Sequence, residues 1–94
     1  MPKVTLAAPL TRLIPATTPG EKTWSVAGST VRAAIECLLV EVPLLRGYLL
    51  DDHGALRHHI AAFVNGVVVT DKQGLNDPLP PDGELFLVPA LSGG

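Results

Sequence analysis

The sequence predicts an α+β domain: a mixed sheet of about four to five strands with one main helix packed on one face. Three patterns point to it. Apolar and polar residues alternate with period two over Lys3–Leu10 and again over Thr23–Ala27, a single helical-period apolar stripe runs from Val31 to Val42, and Asn65-Gly66 stands between two apolar β-type runs. With 94 residues, 47% hydrophobic and 17% charged, the chain has enough apolar material for one core and no room for a second domain.

In order along the chain, Val4, Leu6, Ala8 and Leu10 alternate with Lys3, Thr5, Ala7 and Pro9, which predicts a half-buried strand over 3–10. Pro15 to Lys22 carries two prolines, a glycine and threonines and is predicted as a loop. Thr23 to Ala27 alternates again, with Trp24 and Val26 on one face, as the hairpin partner of the first strand. Gly28-Ser29-Thr30 supplies a helix start with Ser29 or Thr30 as N-cap; Val31, Ile35, Leu38 and Val42 form the buried stripe, and Arg32 and Glu36 are spaced to pair on another face. Pro43 disfavours helix at Val42, and Leu44–Leu50 fits a short helical turn before the Asp51-Asp52-His53-Gly54 turn. Ile60–Val64 and Val67–Val69 flank Asn65-Gly66 as a hairpin with a type I′ turn, because that turn needs positive φ at both central residues. Asp71–Gly83 is a connection rich in turn residues, and Glu84–Val88 is the last strand.

Charge and composition narrow the function classes. Seven Lys and Arg with a net charge of −2 do not make a nucleic-acid footprint. No apolar run approaches the roughly 18 residues of a membrane span, and the first residues lack the apolar stretch of a signal peptide, so a cytoplasmic location is expected. The single cysteine, Cys37, allows no internal disulfide and no cysteine-based zinc site. It falls beside the apolar stripe and is expected to be a buried structural thiol. His53, His58 and His59 with Asp51 and Asp52 lack metal-ligand spacing and are expected to be loop polar residues; if His58 and His59 begin a strand they point to opposite faces. No catalytic constellation and no metal site is expected.

Two features remain. In a two-residue hairpin Val64 and Val67 oppose each other, so Ile60, Ala62, Val64, Val67 and Val69 share one face, joined by Leu85 and Leu87; this is the expected core face. Phe63, Val68, Phe86 and Val88 then lie on a face with no helix to cover it, which marks a partner-binding surface. The second feature is the end, Leu91-Ser92-Gly93-Gly94, a few residues beyond the last strand. Without Cβ atoms, Gly93 and Gly94 could thread a narrow channel in another protein, with Leu91 and Ser92 leading, and deliver the Gly94 carboxylate. Such a carboxylate reacts only after its oxygen becomes a good leaving group. Adenylation would provide that, a sulfur nucleophile would then give a thiocarboxylate, and a lysine amine an isopeptide.

Phe63-Val64-Asn65-Gly66, the turn Pro81-Asp82-Gly83-Glu84 and the ending Leu87-Val88-Pro89-Ala90-Leu91-Ser92-Gly93-Gly94 resemble the ThiS/MoaD family of ubiquitin-like sulfur carriers. The resemblance implies a β-grasp domain over residues 1–90 with a flexible tail at 91–94. It implies that an E1-like activating enzyme, using ATP and Mg²⁺, adenylates Gly94, that the product becomes a thiocarboxylate, and that a biosynthetic enzyme accepts the sulfur. It also implies that Phe63, Val68, Phe86 and Val88 meet these partners. No bound cofactor, nucleic acid or membrane is implied, and the free carrier is expected to be a monomer. The chain length and the long loop Arg12–Lys22 look most like the carriers of thiocarboxylate-dependent cysteine biosynthesis. The small subunit of molybdopterin synthase, a ubiquitin-like protein modifier and an unrelated binding module remain as alternatives.

Overall fold

The computed structural model describes residues 1–14 and 20–90. Five strands form one sheet: β1 (Lys3–Leu6), β2 (Lys22–Ser25), β3 (Ile60–Val64), β4 (Val67–Val68) and β5 (Glu84–Pro89), in the spatial order β2-β1-β5-β3-β4. β1 pairs antiparallel with β2, as the hairpin expectation requires, and parallel with β5 on its other side. β3 joins β5 and β4 antiparallel. The sheet is therefore mixed, with the first and last strands side by side at its centre. This is the ubiquitin-like β-grasp arrangement.

The helical segments are α1 (Ala8–Thr11), α2 (Val31–Glu41), a 3₁₀ turn at Pro43–Leu45 and α3 (Arg46–Leu49). α2 begins where the sequence placed it. Thr30 is the N-cap, and its hydroxyl oxygen accepts from the Ala33 N–H at 3.1 Å. The remaining early N–H groups find loop carbonyls: Val31 donates to Asp77 at 3.0 Å and Arg32 to Leu75 at 2.9 Å. The Asp71–Gly83 connection is thereby stitched to the helix, and Leu75 and Leu79 enter the core. The core lies between α2 and one sheet face, where Val4, Leu6, Leu85, Leu87, Ile60 and Ala62 meet Val31, Ile35 and Leu38. Leu45, Leu49, Leu50 and Leu56 close its flank.

Three expectations are corrected. The first strand stops at Leu6, and Ala8–Thr11 turns into helix with Pro9 in its first turn, where a missing N–H costs nothing. Leu10 reaches the core from that turn, so its alternation with Leu6 was genuine burial on a different backbone. Val67, assigned to the core face, is 71% exposed, because β4 is an edge strand beyond the reach of the helix. The expected Arg32–Glu36 pair forms at 3.8 Å, and each member also has closer partners: Glu36 takes Arg46 at 2.6 Å, and Arg32 donates to the carbonyls of Gly54, Gln73 and Gly74 at 2.7, 3.0 and 3.1 Å. Cys37 is half-buried against the core, short of the full burial expected. The turn at Asn65 and Gly66 has φ of 48° and 85°, as a type I′ hairpin requires.

Candidate docking face and the root of the tail

β5 divides its side chains cleanly. Leu85 and Leu87 are wholly buried toward α2, while Phe86 and Val88 are half-buried on the opposite face. The register then fixes which residues join them. Thr23, Thr5, Phe86, Phe63 and Val68 are successive partners across β2, β1, β5, β3 and β4, one row spanning the sheet on the face away from the helix. The next row along β5 pairs Val88 with Ala61. The four residues singled out from the sequence, Phe63, Val68, Phe86 and Val88, are thus neighbours on one face. Val68 is 51% exposed at the edge, and the other three are half-buried.

The row is polar at one end and apolar at the other. Thr5 is nearly inaccessible on this face, yet its hydroxyl is satisfied, donating to a Glu84 carboxylate oxygen at 2.7 Å and lying 2.9 Å from the Thr23 hydroxyl. Asn65 locks the start of β5 by accepting from the Glu84 N–H through Oδ1 at 2.9 Å, while its own N–H donates to the Glu84 carbonyl at 2.9 Å. The apolar end of the row therefore sits on a fixed hairpin.

At its other end β5 runs to Ala90, whose N–H donates to the His59 carbonyl at 2.8 Å. The chain thus leaves the sheet from a point held against the Arg57–Ile60 turn, which the Ile60 N–H closes onto the Arg57 carbonyl at 3.0 Å. His58 and His59 occupy the middle of that turn, both exposed, with rings edge to face and centroids 5.8 Å apart. Leu91, Ser92, Gly93 and Gly94, the expected threading and reacting residues, lie outside the described residues, as does 15–19 of the expected loop.

The acidic turns are occupied by the backbone. Asp51 Oδ1 accepts the N–H groups of His53 and Ala55 at 2.8 and 3.0 Å, which hold its carboxyl below the usual range, His53 first. Gly74 and then Asn76 do the same for Asp71. Among the described residues no group of three His, Cys, Asp or Glu side chains could hold a metal ion. No helix among them is long and apolar enough to cross a membrane.

Comparison with known proteins agrees with this geometry. SAMP1 from Haloferax volcanii superposes with a TM-score of 0.73 and 28% identity, covering 99% of this chain and 98% of its own. CysO in the Amycolatopsis orientalis BexX/CysO complex gives a TM-score of 0.74 at 22% identity, over 97% of this chain and 99% of that one. CysO of Mycobacterium tuberculosis gives 0.73 at 23% identity, over 94% and 99%. At those identities the two CysO matches establish the shared fold. No curated protein matches the chain significantly in sequence. The model of the ThiS family matches residues 6–94, from the end of β1 to the final glycine, and on that span the chain belongs to the ThiS family.

Proposed function

We propose that this chain is a sulfur carrier whose Gly94 carboxylate is activated and converted to a thiocarboxylate. The observation that carries the reading is the ThiS-family match extending through Gly93-Gly94. The apolar end of the sheet row, Phe63, Phe86 and Val68 with Val88 beside it, supports it as a partner surface on the strand from which the tail departs. In the proposed chemistry a Gly94 oxygen attacks the α-phosphorus of ATP on an E1-like partner and pyrophosphate leaves. A sulfide-level nucleophile then attacks the acyl carbon, AMP leaves, and a proton is released. The domain contributes docking and delivery; ATP and Mg²⁺ belong to the partner. A biosynthetic enzyme accepts the sulfur, and we favour cysteine biosynthesis because the long Arg12–Lys22 segment resembles that group of carriers.

A second reading has its own support. Structural relatives at 25–28% identity include SAMP1, a small archaeal modifier protein, so conjugation of Gly94 to a lysine amine is the competing outcome. Intact mass after incubation with ATP, sulfide and a candidate activating enzyme separates them. The carrier gains the mass of sulfur replacing one oxygen, and the gain disappears when Gly94 is deleted. A ladder of higher-mass conjugates without thiocarboxylate would instead establish the modifier. Stable co-purification with one large subunit would point to the molybdopterin-synthase type of assembly.

A further inference from the structure

A carboxylate stands on the docking face itself. Glu84 opens β5 two residues before Phe86, so it projects on the same side of the sheet as Phe86 and Val88. It is exposed, yet it is held at three points. Asn65 takes its main-chain N–H and its main-chain carbonyl, each at 2.9 Å, and the Thr5 hydroxyl donates to Oε2 at 2.7 Å. A hydroxyl has one proton, and Thr5 gives it to Glu84, so the donor in the 2.9 Å contact between the two threonines is Thr23. Thr23, Thr5 and Glu84 therefore form one directed chain of hydrogen bonds that ends on the carboxylate. Thr5 is the register neighbour of Phe86, which brings the carboxylate to the border of the apolar end of the row. Among the described residues Oε1 accepts no hydrogen bond and Glu84 takes part in no ion pair, although Lys3 is its register partner on β1.

We infer that Glu84 is the polar anchor of the docking face, with Oε1 placed to accept hydrogen bonds from an arginine or lysine side chain of the activating enzyme. The inference rests on the carrier reading. Desolvation dictates the chemistry of the partner. A protein surface that covers Phe86 and Phe63 also removes water from the carboxylate beside them. A carboxylate taken out of water is strongly unfavourable unless its oxygens are paired. Thr5 serves only Oε2, so the donor for Oε1 has to come from the partner. A cationic donor balances the charge as well as the lone pairs, and hydrogen bonds between ionised groups are the strong kind. The three contacts on Glu84 also fix it before docking, which lowers the entropy lost when the two groups meet. Thr5 is then a positioning residue, and Glu84 is the group that touches the partner.

The test is steady-state thiocarboxylation by a candidate activating enzyme with the carrier as the varied substrate. Wild type is compared with Glu84→Gln, Glu84→Lys, Thr5→Val and Glu41→Gln. The amide oxygen in Glu84→Gln can still accept from Thr5, so this variant removes the charge and keeps the chain of hydrogen bonds. Glu41→Gln removes an equal charge from an exposed position at the end of α2, on the other side of the sheet. Glu84→Gln is expected to raise the KM for the carrier about tenfold with kcat changed less than about twofold, and Glu84→Lys to raise it further. Added salt should narrow the gap between wild type and Glu84→Gln. Thr5→Val keeps the charge but releases it, and a KM rise of about threefold is expected, with circular dichroism melts showing the variants folded. Unchanged KM in Glu84→Gln, an equal rise in Glu41→Gln, or loss confined to kcat would each overturn the anchor. Unchanged KM in folded Thr5→Val would overturn the positioning role. If wild type itself acquires no sulfur from any activating enzyme, the carrier reading fails and the anchor fails with it, an outcome that wild type alone reveals.

Discussion

At the scale of single residues, position on the sheet decides more than side-chain type. Thr5 is polar and sits on the face away from the helix, yet it is 2% exposed because Thr23 and Glu84 enclose its hydroxyl. Val67 is apolar and on the helix side, yet solvent reaches it. Cys37 illustrates the intermediate case of a thiol packed against the core without being sealed in it. Asp51 and Asp71 act through backbone N–H groups that favour the ionised form, so their folded pKa values lie below the unfolded one. Their stabilisation is therefore complete above the unfolded value near 3.9 and is lost as pH falls through the lower folded value. Asp51→Asn and Asp71→Asn should each lower the urea midpoint at neutral pH, and the difference from wild type should shrink below about pH 4. A difference that persists unchanged in acid would show that shape, and not ionisation, carries the effect.

At the scale of elements, α2 was legible because its signals are local: a capping threonine, one apolar stripe and a proline just past the end. Thr30→Ala should lower unfolding free energy by about 1 kcal/mol in urea titration, since one N–H loses its acceptor while the loop carbonyls still serve Val31 and Arg32. The entry to this helix is tight. Gly28 has φ of 137°, and a Cβ there would lie 2.8 Å from the Ala33 Cβ, so only glycine fits the turn from β2. α1 was not legible, because a four-residue helix is too short for its period to outweigh an alternating pattern that continues from β1. The Arg32–Glu36 pair was legible because its members stand four residues apart in sequence. The carbonyls of Gly54, Gln73 and Gly74 that Arg32 also clamps come from two distant loops and leave no such spacing.

At the scale of the whole molecule, the sheet places fully buried and partly exposed apolar side chains on opposite faces of single strands. Leu87→Ala should cost about 2–5 kcal/mol, measured by denaturant unfolding, because the removed atoms leave a cavity under α2. Val68→Asp, on the opposite face and half exposed at the edge, should change stability by less than about 0.5 kcal/mol yet, on the proposed carrier function, weaken capture by the proposed activating enzyme in the thiocarboxylation assay. Equal losses of stability in both variants would mean that the two faces are not independent. The sequence by itself determined the α+β class, the helix and its cap, the Asn65-Gly66 turn and the identity of the four apolar residues opposite the helix. Those follow from periodicity and turn chemistry acting over a few neighbours. Only the tertiary structure decided that β5 inserts parallel beside β1, that Thr5 and Thr23 extend the apolar row as a closed polar end, and that the His58-His59 turn stands at the root of the tail. Each of these joins residues tens of positions apart, and such pairing leaves no period in the sequence because it is fixed by packing of the whole sheet against one helix.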